Sequence, residues 1–404
     1  MALSCRRHRA VEGEGPPVAV RQLRNTYAPS SSAPTGHQTS HASLFVVAIG
    51  RMPNATRKGG ALVLAVACAL FVCHSLVLPR TQRGIGLRHT QPSQLAEQPA
   101  VDSRVAAKSP SESCALHQLG NTTYVLHAPR DGPIGALFLF HGCSHGAADF
   151  CAPAAVGCAK CRALPAELDW VRQGLIRKMA VLAVSSRDRR SGCWHGDRDV
   201  QAVLDVAAHV GVGRLPFVSM GASSGGSFAM RFAAAHTNRS NAQCTGVISQ
   251  VAAPLVPTAL ARSRIVWSVM DRDKRTLRAA QVAQRGAKQK HVSTMLVKHS
   301  PRRVTAEFLS GFSVPAKASA AVHAALKEHS LLDEEGYLRA DPRHSQWRRV
   351  VAPVLAREDW RDSLLADKSA MSEALNIAYG MHELTDEHAA EMLDFVLTSR
   401  DLSV

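Results

Sequence analysis

The residues best placed to do chemistry lie in the run Phe217-Val-Ser-Met-Gly-Ala-Ser-Ser-Gly-Gly-Ser-Phe-Ala-Met230, which sets Ser223 between Gly221 and Gly225. A G-x-S-x-G pentapeptide alone is weak, since roughly one chain in ten of this length holds one by chance. Here an apolar, strand-like run precedes it and a helix pattern over 224–235 follows. That is the setting of a nucleophile elbow, a tight strand-to-helix turn that exposes a serine hydroxyl. The chemistry would be attack on a carbonyl carbon and formation of an acyl-enzyme. Side chains at 221 or 225 would collide with the neighbouring backbone, so glycine is required there. The N–H of Ser224, at the start of the helix, would stabilise negative charge on the carbonyl oxygen. A second donor is expected after an earlier strand, where Leu137-Phe-Leu-Phe ends at His141-Gly142 and the N–H of Cys143 can turn into the cleft.

A serine hydroxyl needs a base, and the base needs a carboxylate to orient it. Downstream, the strand-like run Ile265–Met270 ends in Asp271-Arg272-Asp273. Both carboxylates stand at the expected edge of a sheet. Asp273 is preferred because the second polar residue after the strand can turn back toward the serine, with Asp271 as the alternative. Two histidines compete for the base. His299 follows the strand-like run Val292–Lys298, and His382 lies in Tyr379-Gly-Met-His-Glu-Leu just before a helical pattern over 387–397. If His382 is the base, about 301–375 is a helical insertion able to act as lid or substrate wall.

Strand–His-Gly followed by strand–GxSxG–helix, in this order, resembles the α/β-hydrolase superfamily. The segments GCSHGAADF, CAKCRALPAEL, GASSGGSF and NIAYGMHEL are similar to a group of plant and algal α/β-hydrolase-like proteins over about residues 120–400. The resemblance implies an α/β-hydrolase fold, a mostly parallel sheet with helices on both faces. It also implies a Ser223–Asp273–His382 triad with Cys143 and Ser224 as oxyanion donors. It names no substrate.

The elements that must position these residues alternate along the chain. Apolar runs at 124–128, 136–140, 180–185, 217–220, 246–251 and 265–270 read as strands, and 199–210 reads as a helix stopped at Gly211. Near-continuous apolar strands separated by helices indicate a parallel sheet covered on both faces. The region from about 303 to 404 is mostly helical in pattern.

The chain of 404 residues carries a net charge of +16, and residues 1–100 hold eleven Lys/Arg against three acids. Without aromatic interleaving or a reader motif, this excess does not point to nucleic acid. Residues 1–60 read as a disordered basic region. Ala61–Leu78 is apolar apart from His74 and Ser75, near the lower length limit for a membrane span, and 79–113 is a polar linker before the domain at 114–404. The flanking charge favours a signal anchor with the domain lumenal or extracellular, and leader cleavage is the alternative. A start at Met52 would give an ordinary signal-like leader. The sequons at Asn121 and Asn238 would then be lumenal and that at Asn54 cytosolic.

Of ten cysteines, seven follow this segment, at 114, 143, 151, 158, 161, 193 and 244. Disulfides bracing the loop above the site are expected, with an odd thiol left over. A zinc site is disfavoured because Cys158-x-x-Cys161 has no second motif to pair with. Two function classes follow. One is a serine hydrolase of small-molecule ester, amide or peptide bonds, needing no cofactor or metal. The other is an inactive hydrolase fold serving as a binding or membrane-organising protein.

Overall fold

A computed structural model describes residues 114–398, apart from 153–157, 159, 313, 315 and 356–363. The basic region, the apolar segment 61–78 and the linker lie outside the described residues. Among the described residues, no helix is long and apolar enough to cross a membrane.

Eight strands form one sheet: β1 (His117–Leu119), β2 (Thr122–His127), β3 (Gly135–Phe140), β4 (Met179–Val184), β5 (Phe217–Ala222), β6 (Cys244–Gln250), β7 (Arg264–Met270) and β8 (Thr294–His299). Their order is β1-β2-β4-β3-β5-β6-β7-β8. The first two strands run antiparallel, and every pairing from β4 to β8 is parallel. The helices are α1 (Pro165–Ile176), α2 (Gly196–His209), α3 (Ser224–Ser240), α4 (Lys274–Gln289), α5 (Ala306–Ser310), α6 (Ala316–Glu328), α7 (Trp347–Leu355), α8 (Ala370–Tyr379) and α9 (Ala389–Leu397). This is the α/β-hydrolase fold.

The central strands are apolar throughout because both faces are covered. Successive side chains on a strand point to opposite faces, so Leu137 and Leu139 of β3 join one core and Phe138 and Phe140 the other. The first core includes Trp170 of α1 and Leu393 of α9, and the second Val203 of α2, Phe232 of α3 and Ala283 of α4. The helical segment after β8 contributes Phe308, Val322 and Trp347 to the first core. The expected insertion is therefore packed into the domain, and its last helix runs on past 375 to Tyr379.

Strand β1, the whole of helix α1 and the part of α3 beyond 235 were not read from the sequence. β1 is three residues long with an exposed pattern, too short for alternation to register. Helix α1 starts at a proline, which suits a first helical position.

Candidate active site

The parallel strands all end at one edge, where ligands bind in open α/β sheets, and β5 delivers Ser223 there. The serine adopts φ 56° and ψ −118°, a left-handed region that non-glycine residues enter only when their surroundings impose it. The surroundings do so through two close backbone approaches. A Cβ on Gly221 would lie 2.3 Å from the Gly225 carbonyl oxygen, and one on Gly225 would lie 2.3 Å from the carbonyl oxygens of both Phe140 and His141. Only glycine lets β5, α3 and the end of β3 meet this closely. The Ser223 N–H donates to the Gln250 carbonyl oxygen at 2.9 Å.

Ser223, His382 and Asp273 come together. His382 Nε2 is 2.8 Å from Ser223 Oγ, and its Nδ1 is 2.8 Å from Asp273 Oδ2. The other Asp273 oxygen, Oδ1, accepts the Thr276 N–H at 3.0 Å as the cap of α4. Burial pushes the Asp273 carboxyl up, but hydrogen bonds from His382 and Thr276 outweigh it and hold it below the usual carboxylate range. Asp271 and His299 are not part of this group. Asp271 accepts the Ser300 hydroxyl at 2.7 Å, and His299 lies buried between Ser268 and Glu387.

The loop that carries His382 is pinned from three sides, by residues that spacing alone did not single out. Gln250 donates to the Thr385 carbonyl at 2.8 Å and accepts the Thr385 N–H at 3.0 Å, while Trp170 also donates to that carbonyl. Gln250 thus holds the nucleophile through its backbone and the histidine loop through its side chain. Arg343 donates to the His382 carbonyl at 2.6 Å and to Glu383 Oε2 at 3.0 Å, and Asn376 donates to the same oxygen. The polar pair Ser249-Gln250 closing the apolar start of this strand is the one sequence signal for Gln250.

The loop after β3 is held as firmly. His141 is buried, and burial lowers its pKa to about 4, so it is neutral. Its Nδ1–H donates to the Gly142 carbonyl at 2.7 Å and its Nε2 accepts the Ser186 N–H at 3.1 Å. Trp194 donates to the His141 carbonyl at 2.9 Å. A disulfide joins Cys143 to Cys193, tying this loop to the segment before α2. Among the described residues, no acceptor takes the Cys143 N–H, and Ser224 begins α3, where the first N–H groups lack helical partners.

Two further disulfides, Cys114–Cys151 and Cys158–Cys161, use the remaining clustered cysteines, leaving Cys244 as the free thiol among the described residues. Burial raises Cys244 to about 12, so it is inert. Among the described residues, the clustered cysteines thus form bridges, as the sequence suggested.

Removing the Cys143–Cys193 bridge by replacing both cysteines with serine is expected to lower kcat by about 10- to 100-fold, short of the 10²–10³ lost with a whole oxyanion donor. Entropy over the 50-residue separation adds a stability loss of about 2–4 kcal/mol. Steady-state kinetics well below the melting temperature separates the two effects.

A cavity of about 160 Å³ opens beside Ser223, lined by Cys143, His145, Glu167, Arg343, His382 and Glu383 among others. That is close to the volume that admits a benzene ring. Burial pulls the His145 imidazolium down, but its hydrogen bond to Asp149 (3.0 Å) and that charge reverse the effect and raise it to about 9. Burial pushes Glu167 up to about 7. The cavity wall, which also includes Ala222, Val251 and Leu384, therefore carries titratable groups. On the other side of Ser223, a wider cleft of about 600 Å³ runs between the segment 251–254 and the start of α4.

No family model matches the chain, and no curated protein matches its sequence. Similar solved structures include a carboxylesterase from Mesorhizobium loti, at 11% identity over 46% of this chain and 90% of that one, with a TM-score of 0.33. A thermostable esterase from Pseudomonas putida shares 12% identity over 46% and 73% of the two chains, with a TM-score of 0.31. A membrane phospholipase A, a bacterial virulence factor, shares 16% over 46% and 79%, with a TM-score of 0.30. Likenesses this distant say nothing about activity or substrate. The narrower resemblance to plant and algal proteins has no counterpart among them.

Proposed function

We propose that the chain is a serine hydrolase that cleaves ester, amide or peptide bonds of small molecules through an acyl-enzyme. The observation that carries this reading is the continuous hydrogen-bonded line Ser223 Oγ–His382–Asp273, with both contacts at 2.8 Å. His382 takes the proton as Ser223 Oγ attacks the carbonyl carbon, and returns it to the leaving group as the C–O or C–N bond breaks. Water then repeats the sequence against the acyl-enzyme. Asp273 stays ionised and holds Nδ1–H, so Nε2 faces the serine as an acceptor. The N–H groups of Cys143 and Ser224 receive the oxyanion.

The cavity of about 160 Å³ suits a short substrate group, and the wider cleft leaves room for a larger one on the other side of the serine. The domain is proposed to act on the lumenal or extracellular side of a membrane, tethered through Ala61–Leu78. Three disulfides in the domain favour an oxidising compartment.

Hydrolysis of p-nitrophenyl esters from acetate to octanoate tests the reading. Turnover is expected to be fastest for the short acyl groups, and Ser223→Ala is expected to lower kcat about 10⁶-fold. Equal turnover by the folded variant would refute it.

A further inference from the structure

His299 is a buried histidine that the proposed chemistry does not use, at the end of β8. Its Nδ1 lies 3.2 Å from Glu387 Oε2, and the other Glu387 oxygen, Oε1, lies 4.0 Å from His388 Nε2. One ligand atom from each of His299, Glu387 and His388 falls within 4.8 Å of the others. Two imidazoles and a carboxylate are a ligand set that zinc and neighbouring divalent transition ions accept.

The remaining ring nitrogens give an independent reason. Metal-binding histidines usually engage their second nitrogen with a carboxylate, carbonyl or other polar group, which fixes the ring and its tautomer. Here His299 Nε2 is 2.7 Å from Ser268 Oγ, and His388 Nδ1 is 3.2 Å from Glu391 Oε2. Both rings are thus oriented by their far nitrogens, and their near nitrogens converge on Glu387. His388 also holds φ 64° and ψ 17° at the start of α9, a conformation that brings its ring within 5.7 Å of the His299 ring.

We infer that His299 Nδ1, Glu387 and His388 Nε2 form a binding site for a divalent transition cation of the zinc type. Metal–ligand bonds of about 2.0–2.2 Å place tetrahedral ligands about 3.3–3.6 Å apart, so a modest closing of His388 onto Glu387 completes it. A water supplies the fourth position. Binding at Nδ1 needs the tautomer of neutral His299 whose single ring proton has moved from Nδ1, facing Glu387, to Nε2, and the Ser268 hydroxyl turns from donor to acceptor for it. Glu387 and Glu391 supply two negative charges against Arg302, whose charge also acts on Glu387. The bound ion joins the end of β8 to the segment that begins at His382, and so steadies the loop carrying the proposed base.

Calorimetric titration of the full chain with Zn²⁺, after chelator treatment, tests this. His388→Asn removes the imidazole and keeps a residue that tolerates the left-handed backbone. The variant is expected to bind one fewer zinc per chain, or that zinc at least tenfold more weakly. Glu391→Gln is expected to weaken it about tenfold through the loss of ring orientation. Zinc is expected to raise the melting temperature of the wild type but not of His388→Asn. Comparison between proteins is needed because residues 1–113 hold their own histidines and cysteines. Identical zinc stoichiometry and affinity in wild type, His388→Asn and Glu387→Gln would overturn the inference. His388 is exposed, and unchanged metal-free melting serves as the folding control.

Discussion

His382→Ala is expected to lower kcat for ester hydrolysis by about 10⁶-fold, as loss of a catalytic histidine does when the nucleophile depends on it. The reason is geometric. His382 Nε2 is the group within 2.8 Å of Ser223 Oγ, and without it the hydroxyl keeps its proton at neutral pH. His299→Ala makes the complementary case. His299 is 3% exposed and bonded to Ser268 and Glu387, so its loss leaves buried polar groups unpaired and costs about 1–3 kcal/mol of stability. Turnover by the folded His299→Ala protein should stay within about tenfold of wild type, because the Ser223–His382 contact is intact. Steady-state kinetics with a thermal melt for each variant checks both halves. Loss of turnover in His299→Ala with His382→Ala unaffected would reverse the assignment.

Asp273→Asn is expected to cost about 10⁴-fold in kcat with little change in KM. The asparagine amide can donate to His382 Nδ1, which moves the ring proton to Nε2 and points it at the serine, so the base is in the wrong tautomer. Asp271→Asn should be close to neutral, since Asp271 is bonded to Ser300 and does not contact His382. The pair is informative because the two carboxylates are two residues apart and nearly identical in charge. Equal losses from both would mean that general electrostatics, and not orientation of His382, underlies their effect.

Much of this arrangement is legible in the sequence because it depends on local chemistry. Gly221 and Gly225 announce the elbow, and the structure shows the backbone atoms that exclude any side chain there. Continuous apolar runs announce strands buried on both faces, and the strands lie close to those runs. Position after a strand leaves Asp271 against Asp273 and His299 against His382 open, because it says where a side chain starts and not where it points. The choice between the carboxylates follows from Asp273 capping α4, and that between the histidines from contacts made across more than 100 residues of chain, such as His382 to Asp273. Gln250 escaped notice for the same reason, its partner Thr385 lying far along the chain. Arg343 and Asn376 sit nearer to His382 and Glu383, but nothing in their spacing shows that their side chains turn toward that loop. The cysteine count foretold an odd thiol, but which cysteines pair required the loops to be in place.

The most direct test of Ser223 as an activated nucleophile is labelling with a fluorophosphonate, followed by mass spectrometry of the intact chain and its peptides. One adduct per chain is expected, on the peptide that contains Ser223, abolished in Ser223→Ala and strongly slowed in His382→Ala. A folded wild-type protein that takes no label, or that is labelled equally in Ser223→Ala, would contradict the serine-hydrolase reading.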